Sequence, residues 1–455
     1  MPQDLSQLDP ASAWRPFTPD KDRPWNRARA AHLFRRAGFG ATSRELDEAV
    51  KKDPAEVVKQ LLTPAPGNSE FERQFDELGR TMLAGGNPES LSAWWLYRML
   101  NTPDQLLEKS TLFWHGHFAT SAAKVTEAKL MLAQNDLLRK HARGDFAALV
   151  HKMSRDPAML IYLDSATNRK THPNENYARE LMELFCLGPG NYTERDIKEL
   201  ARCFTGWGVR RGEFVFNEYE HDVNSKSFLG RSGVYEGDEA VKVVLDQPAA
   251  PRFIVNKLLK FFVCDEPAFP AALVDPLAKD LREAGFLVGP VLGKILGSQL
   301  FFSQHAVGRK IRSPIELSVG LVRSLEGQTN LNRLAQELTQ LGHAPFYPPN
   351  VKGWDGGRTW INSSTLLSRS NLARQLVLGG QSRFGGGDLA SYLARQGLKS
   401  PEETVAWLLD LLVAVPVPAA AREQLVSLAG SGGDNNRRLG DLIHALATLP
   451  EFQLS

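Results

Sequence analysis

Helix-start signals recur along this 455-residue chain from Trp25 almost to its end, and they leave little room for an extended sheet. Asp53-Pro54-Ala55 and Asp156-Pro157 each set a capping carboxylate before a proline at the first helical position, and Thr102-Pro103 reads the same way. Thr42 or Ser43 caps a helix with Glu45 and Asp47 in its first turns, and Thr193 caps another. Asn362 or Ser363 opens a third that runs to Leu376. Apolar residues at helical spacing predict further helices over 25–37, 90–100, 126–141, 145–153, 193–204, 237–263, 269–284, 290–297 and 313–325. Only 209–237 departs from this pattern: Glu213-Phe214-Val215-Phe216 and the glycines at 230, 233 and 237 predict one or two short strands. The expected fold is therefore mainly α, a multi-helical globular fold with a small β-hairpin-like insertion near 209–237. Residues 1–25 read as an extended arm, 26–378 as the main helical domain, 379–387 as a Gly-rich joint and 388–455 as a C-terminal helical subdomain.

Composition narrows the function classes. Lys and Arg total 54 against 52 Asp and Glu, so no global field favours nucleic acid or an anionic membrane. The three cysteines, Cys186, Cys203 and Cys264, form no CxxC and read as buried free thiols, consistent with a reducing compartment. The start, Met1-Pro2-Gln3-Asp4-Leu5, has no basic region leading into an apolar run, and no segment approaches 18 uncharged apolar residues. A soluble cytoplasmic protein is the expectation. P-loop, HExxH, GxSxG and strand-linked GxGxxG motifs are all missing.

Four constellations carry candidate chemistry. In Asn174–Gly188 a helical wheel sets Asn176, Arg179, Glu180 and Glu183 on one face and Tyr177, Ala178, Leu181, Met182, Leu184 and Phe185 on the other. The polar stripe is either a ligand or metal platform or a solvated face in which Arg179 and Glu183 pair at i,i+4. In Phe113-Trp114-His115-Gly116-His117-Phe118, the two histidines converge on one ligand only if the helix breaks at Gly116; otherwise they are hydrogen-bonded helix-end residues. Glu220-His221-Asp222 offers a metal ligand with a supporting carboxylate, or an incidental polar loop. The irregular stretch 345–361 sets Trp354 and Trp360 beside Asn350, Asp355, Arg358 and Asn362. These groups suit a flat polar ligand such as a sugar, or else the tryptophans pin the loop.

Five segments together resemble the bacterial family known as domain of unknown function 1800. They are Ala31–Gly40, Phe113–Phe118, Pro173–Gly188, Phe204-Thr205-Gly206-Trp207 and Pro348-Pro349-Asn350-Val351-Lys352-Gly353-Trp354. The arm with Trp14-Arg15-Pro16-Phe17 resembles planctomycete-type members. The resemblance implies a mostly helical fold and a frequent neighbour, a protein of a second family that resembles alkaline phosphatases and sulfatases. It also implies export for many members, which co-export with that neighbour would reconcile with the start of this chain. It implies no reaction.

The leading expectation is a metal-dependent enzyme, hydrolytic or oxidative. A divalent metal (Fe, Mn or Zn) would be held by His115, His117, Glu180, His221 and Asp222, with Glu183, Arg179 and Asn176 as catalytic or orienting groups. The rival is a non-enzymatic glycan-binding or scaffold protein, partner of the phosphatase/sulfatase-like neighbour, that uses Asn350, Trp354, Arg358, Trp360 and Asn362.

Overall fold

Capping seats the helices where the start signals place them. Thr42 and Glu45 close a capping box over Ser43–Ala49, as do Thr193 and Asp196 over Glu194–Cys203 and Asn362 and Thr365 over Ser363–Leu378. Asp53 and Asp156 cap helices that begin at Pro54 and Pro157. Thr102-Pro103 does not start a helix. Asp104 caps Gln105–His117 instead, accepting from the Leu107 N–H, and Arg143 anchors the same carboxylate at 2.7 Å. The expected helix over 237–263 is two, Gly237–Leu245 and Ala249–Phe262, because Pro248 supplies no amide hydrogen at the junction. Helices Asn68–Leu83 and Leu331–Gln340 have no counterpart among the expected elements.

The computed structural model describes residues 4–65, 67–83 and 88–455; residues 1–3 of the expected arm lie outside them. Among the described residues there are 23 α-helices and three two-stranded antiparallel sheets, so the fold is mainly α with small hairpins. The 209–237 region holds two hairpins. β1 (Trp207–Arg210) pairs with β2 (Glu213–Phe216), and β3 (Lys226–Phe228) with β4 (Arg231–Gly233). Their two-residue turns, Arg211-Gly212 and Leu229-Gly230, have positive φ throughout, as the native strand twist demands of so tight a turn. The third sheet pairs β5 (Gly327–Gln328) with β6 (Arg383–Phe384), which ties the Gly-rich 379–387 stretch back to the main body. No helix among the described residues is long and apolar enough to cross a membrane.

The helix Gln105–His117 runs through the core; of its residues only Leu107 and Gly116 are less than fully buried. Its charges therefore need partners. Glu108 accepts from Trp95 Nε1 at 2.8 Å and from Arg139 Nε at 2.7 Å, and it pairs with Arg98. Burial pushes this carboxyl up, yet Arg139 and Arg98 overcome that and hold it at about 2. Lys109, one residue on, pairs with Glu316 at the start of helix Pro314–Ser324. This doubly anchored helix presents the His-Gly-His segment to its neighbours.

Candidate functional site

Beside the end of that helix lies a chamber of about 230 Å³. Its walls include His117 and Gly116, Lys257 and Lys260 of helix Ala249–Phe262, Glu316, His343, and the loop residues Lys352, Trp354, Asp355 and Trp360. Two of the segments singled out in the sequence meet here through backbone contact. Gly353 has φ +79°, and a Cβ on it would lie 2.1 Å from the Gly116 carbonyl oxygen, so only glycine lets the loop dock on the helix. The Trp354 ring then packs against His343 at 4.7 Å and His115 at 5.7 Å between centroids, and Trp360 stacks on His343 at 4.8 Å.

The acidic helix contributes from a third side. Its α-helical part, Glu175–Glu180, runs on into a π-helical turn, Leu181–Cys186. The wider turn bonds Leu187 N–H to the Met182 carbonyl at 2.9 Å and turns the Leu184 carbonyl outward. Lys257 fills the resulting acceptor position: its Nζ donates to Leu184 O at 2.9 Å and to His117 Nδ1 at 3.1 Å. Because Nδ1 accepts, His117 carries its proton on Nε2, which has no well-aligned protein partner, although the Phe185 backbone lies close enough to favour the charged ring. His343 Nδ1 and Trp354 Nε1, also in the chamber wall, are likewise buried without a protein partner. Native proteins rarely leave such atoms unpaired, and these three belong to residues that line one chamber.

The electrostatics suit an anion. Burial drives the Lys257 ammonium down to about 8, from an ordinary 10.5. Burial, and then Lys257, hold His117 neutral well below its usual range. Burial also lowers His115 and His343, each to about 3. Asp265 accepts from Lys310 at 2.8 Å, and Glu316 is held well below the carboxylate range by Lys109 and Lys310 against the upward push of burial. With these carboxylates matched, Lys257, Lys260 and Lys352 face the chamber against Asp355 alone.

The expected metal ligands do not come together. His115 points away from His117, because the helix continues through Gly116 and neighbouring side chains fan apart. Its Nε2 accepts the Phe346 N–H at 3.1 Å and so holds Phe346 at φ +68°. His221 sits under the hairpins, its Nδ1 2.8 Å from the Thr205 carbonyl, and Asp222 accepts from Arg202 at 2.8 Å. Among the described residues no three His, Cys, Asp or Glu side chains gather as a metal-binding group. On the acidic face, Arg179 pairs with Glu194 and Glu175 rather than Glu183. Glu183 accepts from Tyr192 Oη at 2.8 Å, and Asn176 donates to Leu163 O at 3.2 Å. Glu180 stays half-exposed, its carboxyl raised by burial and then by Glu183.

The 345–361 loop divides similarly. Trp354 and Trp360 line the chamber, and their packing on His343 pins the loop. Asn350 turns the chain by accepting from Lys352 N–H at 2.9 Å, Arg358 pairs with Glu266 on the surface, and Asn362 caps the next helix. The cysteines are buried and free.

Sequence reasoning missed Lys257 and His343. Lys257 lies in a run of apolar helix residues, where Asn256-Lys257 interrupts the pattern one turn before Lys260 on the same face; His343 is a lone histidine before Ala344-Pro345. The only available signal was a cation on an otherwise buried helix. No curated protein and no solved structure matches this chain. The family described as protein of unknown function, DUF1800, matches residues 32–454, nearly the whole length, and the chain belongs to that family.

Proposed function

We propose that the chamber binds a small anionic, ring-bearing ligand of about the size of one sugar acid, and that the His117–Lys257 pair moves a proton on it. The observation that carries this reading is the Lys257 ammonium, 3.1 Å from His117 Nδ1 beside unpartnered Nε2–H, Trp354 Nε1 and His343 Nδ1. The volume of about 230 Å³ lies below the roughly 300–1,000 Å³ of drug-sized sites, which limits the guest to a single ring. Lys352 and Lys260 at the mouth would meet a carboxylate, and the Trp354 face would stack on a ring. An amine whose proton leaves near pH 8 suits a general base at neutral pH better than an ordinary lysine. The test is calorimetric titration with galacturonate and with glucose, alongside trinitrobenzenesulfonate labelling of Lys257. Galacturonate is expected to bind and to slow labelling of Lys257, and Trp354→Ala is expected to lose both effects. Binding of glucose as tight as that of galacturonate would move the reading to a neutral-glycan module, and no protection of Lys257 would end the proton-transfer role.

A second reading keeps a divalent metal, now confined to Glu180 and Glu183. What favours it is the raised Glu180 carboxyl, since a cation between the two carboxylates would relieve their repulsion. Elemental mass spectrometry of the untagged protein and of Glu180→Ala tests it. Near-stoichiometric metal lost in the variant supports it; a metal-free wild type ends it. The phosphatase/sulfatase-like partner fits either reading, and copurification tests it directly.

A further inference from the structure

A second cleft, of about 850 Å³, shares no residue with the chamber. One wall is the N-terminal arm, which is strapped to the body as an added strand-like segment. Leu300 N–H donates to Ala13 O at 3.0 Å, Gln299 N–H to Arg15 O at 2.9 Å, and Phe17 N–H to Gly297 O at 2.8 Å. Trp14 Nε1 donates to Leu273 O at 2.9 Å and locks the arm from behind. The other walls are the first turns of helix Arg27–Ala37 and the 299–307 segment.

Three arginines, Arg15, Arg23 and Arg29, converge on this cleft with a single carboxylate, Asp9, among its lining residues. Asp9 is already engaged in capping the short helix Pro10–Ala13 through Ser12 N–H at 2.9 Å. Arg23 is held by Asp20, and Arg29 spends one nitrogen on Pro24 O at 2.8 Å. The Arg15 guanidinium has no hydrogen-bond partner among the described residues. The charges crowd one another: Arg29 is held below the ordinary guanidinium range by burial and then by Arg23. On the cleft floor His32 is buried, with Nε2 donating to Phe301 O at 2.9 Å, which leaves Nδ1 as an acceptor with no protein partner. Leu8, Leu300 and Phe302 give the floor an apolar strip beside these groups.

We infer that this cleft binds a phosphate or sulfate ester of a hydroxylated ring. Planar guanidinium forks match tetrahedral oxyanions. His32 Nδ1, an acceptor, calls for a hydroxyl rather than a second oxyanion, and the half-buried Leu8 side chain offers an apolar edge against which a sugar ring rests. A cleft of this volume takes a ligand of ordinary small-molecule size, larger than the guest of the first chamber.

The experiment is calorimetric titration of the full chain with glucose 6-phosphate, glucose 6-sulfate, inorganic phosphate and glucose at low salt. Either ester is expected to bind at least tenfold more tightly than inorganic phosphate, and glucose is expected not to bind. Tighter binding of the phosphate identifies phosphate esters as the source, and equal or tighter binding of the sulfate identifies sulfate esters. Arg15→Ala, whose exposed side chain makes no hydrogen bond among the described residues and only a long-range attraction to Asp9, is expected to weaken the ester about tenfold. Arg29→Gln is expected to do the same with an unchanged melting temperature. Failure of both esters to bind, or binding that both variants leave unchanged, overturns the inference.

Discussion

Replacing Lys257 with methionine keeps an unbranched stem in the wall of the chamber and removes its ammonium. In the folded protein burial lowers this group to about 8 from an ordinary 10.5. The sign follows from proton linkage. Between those two values the unfolded chain binds the proton and the folded chain does not, so folding is favoured increasingly as pH rises through this window. At pH 7 both states are protonated and the buried charge costs about 3 kcal/mol, from 2.5 pH units at about 1.4 kcal/mol each. The methionine variant escapes that cost but forfeits the bonds to Leu184 O and His117 Nδ1, leaving two buried acceptors unpaired at about 1–3 kcal/mol each. The two proteins should therefore be of similar stability at pH 7.

They should part as pH rises. By about pH 9.5 the wild type has recovered about 2 kcal/mol of the desolvation cost, and the variant has nothing to recover. Urea unfolding of both proteins at the two pH values measures the difference, with equal slopes in denaturant as the check that the unfolded state is unchanged. Other buried amines are lowered by burial too, among them Lys109, but they are common to both proteins and cancel. Parallel pH profiles for wild type and variant would refute the depressed amine, and with it the proton-transfer role proposed for Lys257.

Two further outcomes follow from the same structure. Gly353→Ala asks for φ +79° and places a Cβ 2.1 Å from the Gly116 carbonyl, so a loss of about 2–3 kcal/mol is expected together with a shift in tryptophan emission as Trp354 leaves His343; unchanged melting and emission would count against the docking. Asp156 is buried, and burial raises its carboxyl to about 6 although it accepts from Met159 N–H and Gln134 Nε2. Its charge costs stability above that pH, and the cost vanishes below the unfolded value of 3.8. Asp156→Asn should therefore be more stable by up to about 3 kcal/mol at pH 7 and equal to wild type near about pH 3, as thermal melts at the two pH values will show.

The fold was legible because caps and helical spacing are local signals. Thr42, Asp53, Asp156, Thr193 and Asn362 each act on backbone within three residues, and each caps its helix. Where a signal met a competitor it failed: the Asp104 carboxylate, anchored by Arg143, took the cap that Thr102-Pro103 promised. The buried face of the acidic helix read correctly but for Leu184: Tyr177, Ala178, Leu181, Met182 and Phe185 are buried, and Leu184 is half-buried. Its polar stripe did not, because the partners that decide it come from elsewhere in the chain. Glu194 draws Arg179 away, Tyr192 takes Glu183, and the π-helical turn shifts the register after Glu180. Lys257 and His343 were invisible as site residues for the same reason: neither has a motif of its own, and only the fold brings them to His117 and Trp354.

The placement of Lys257 also favours the anion reading of the chamber over a metal at His117. A metal at His117 would have to take Nδ1, the nitrogen to which the Lys257 ammonium donates at 3.1 Å, or Nε2, which carries the proton. At neutral pH that amine is mostly protonated, and a divalent cation beside it would be repelled in surroundings that screen poorly. Glu180, whose carboxyl is raised by burial and then by Glu183, lies on the acidic face and is not among the residues that line the chamber, with Lys352 acting on it in the opposite sense. On the proposed reading, anion chemistry is therefore assigned to the chamber and cation chemistry is left to the adjoining helix face. That separation explains how three distant segments converge here without assembling one ligand shell. Gly116 and Gly353 bring the backbones together, the π-helical turn presents Leu184 O, and the lysine joins the histidine to the helix.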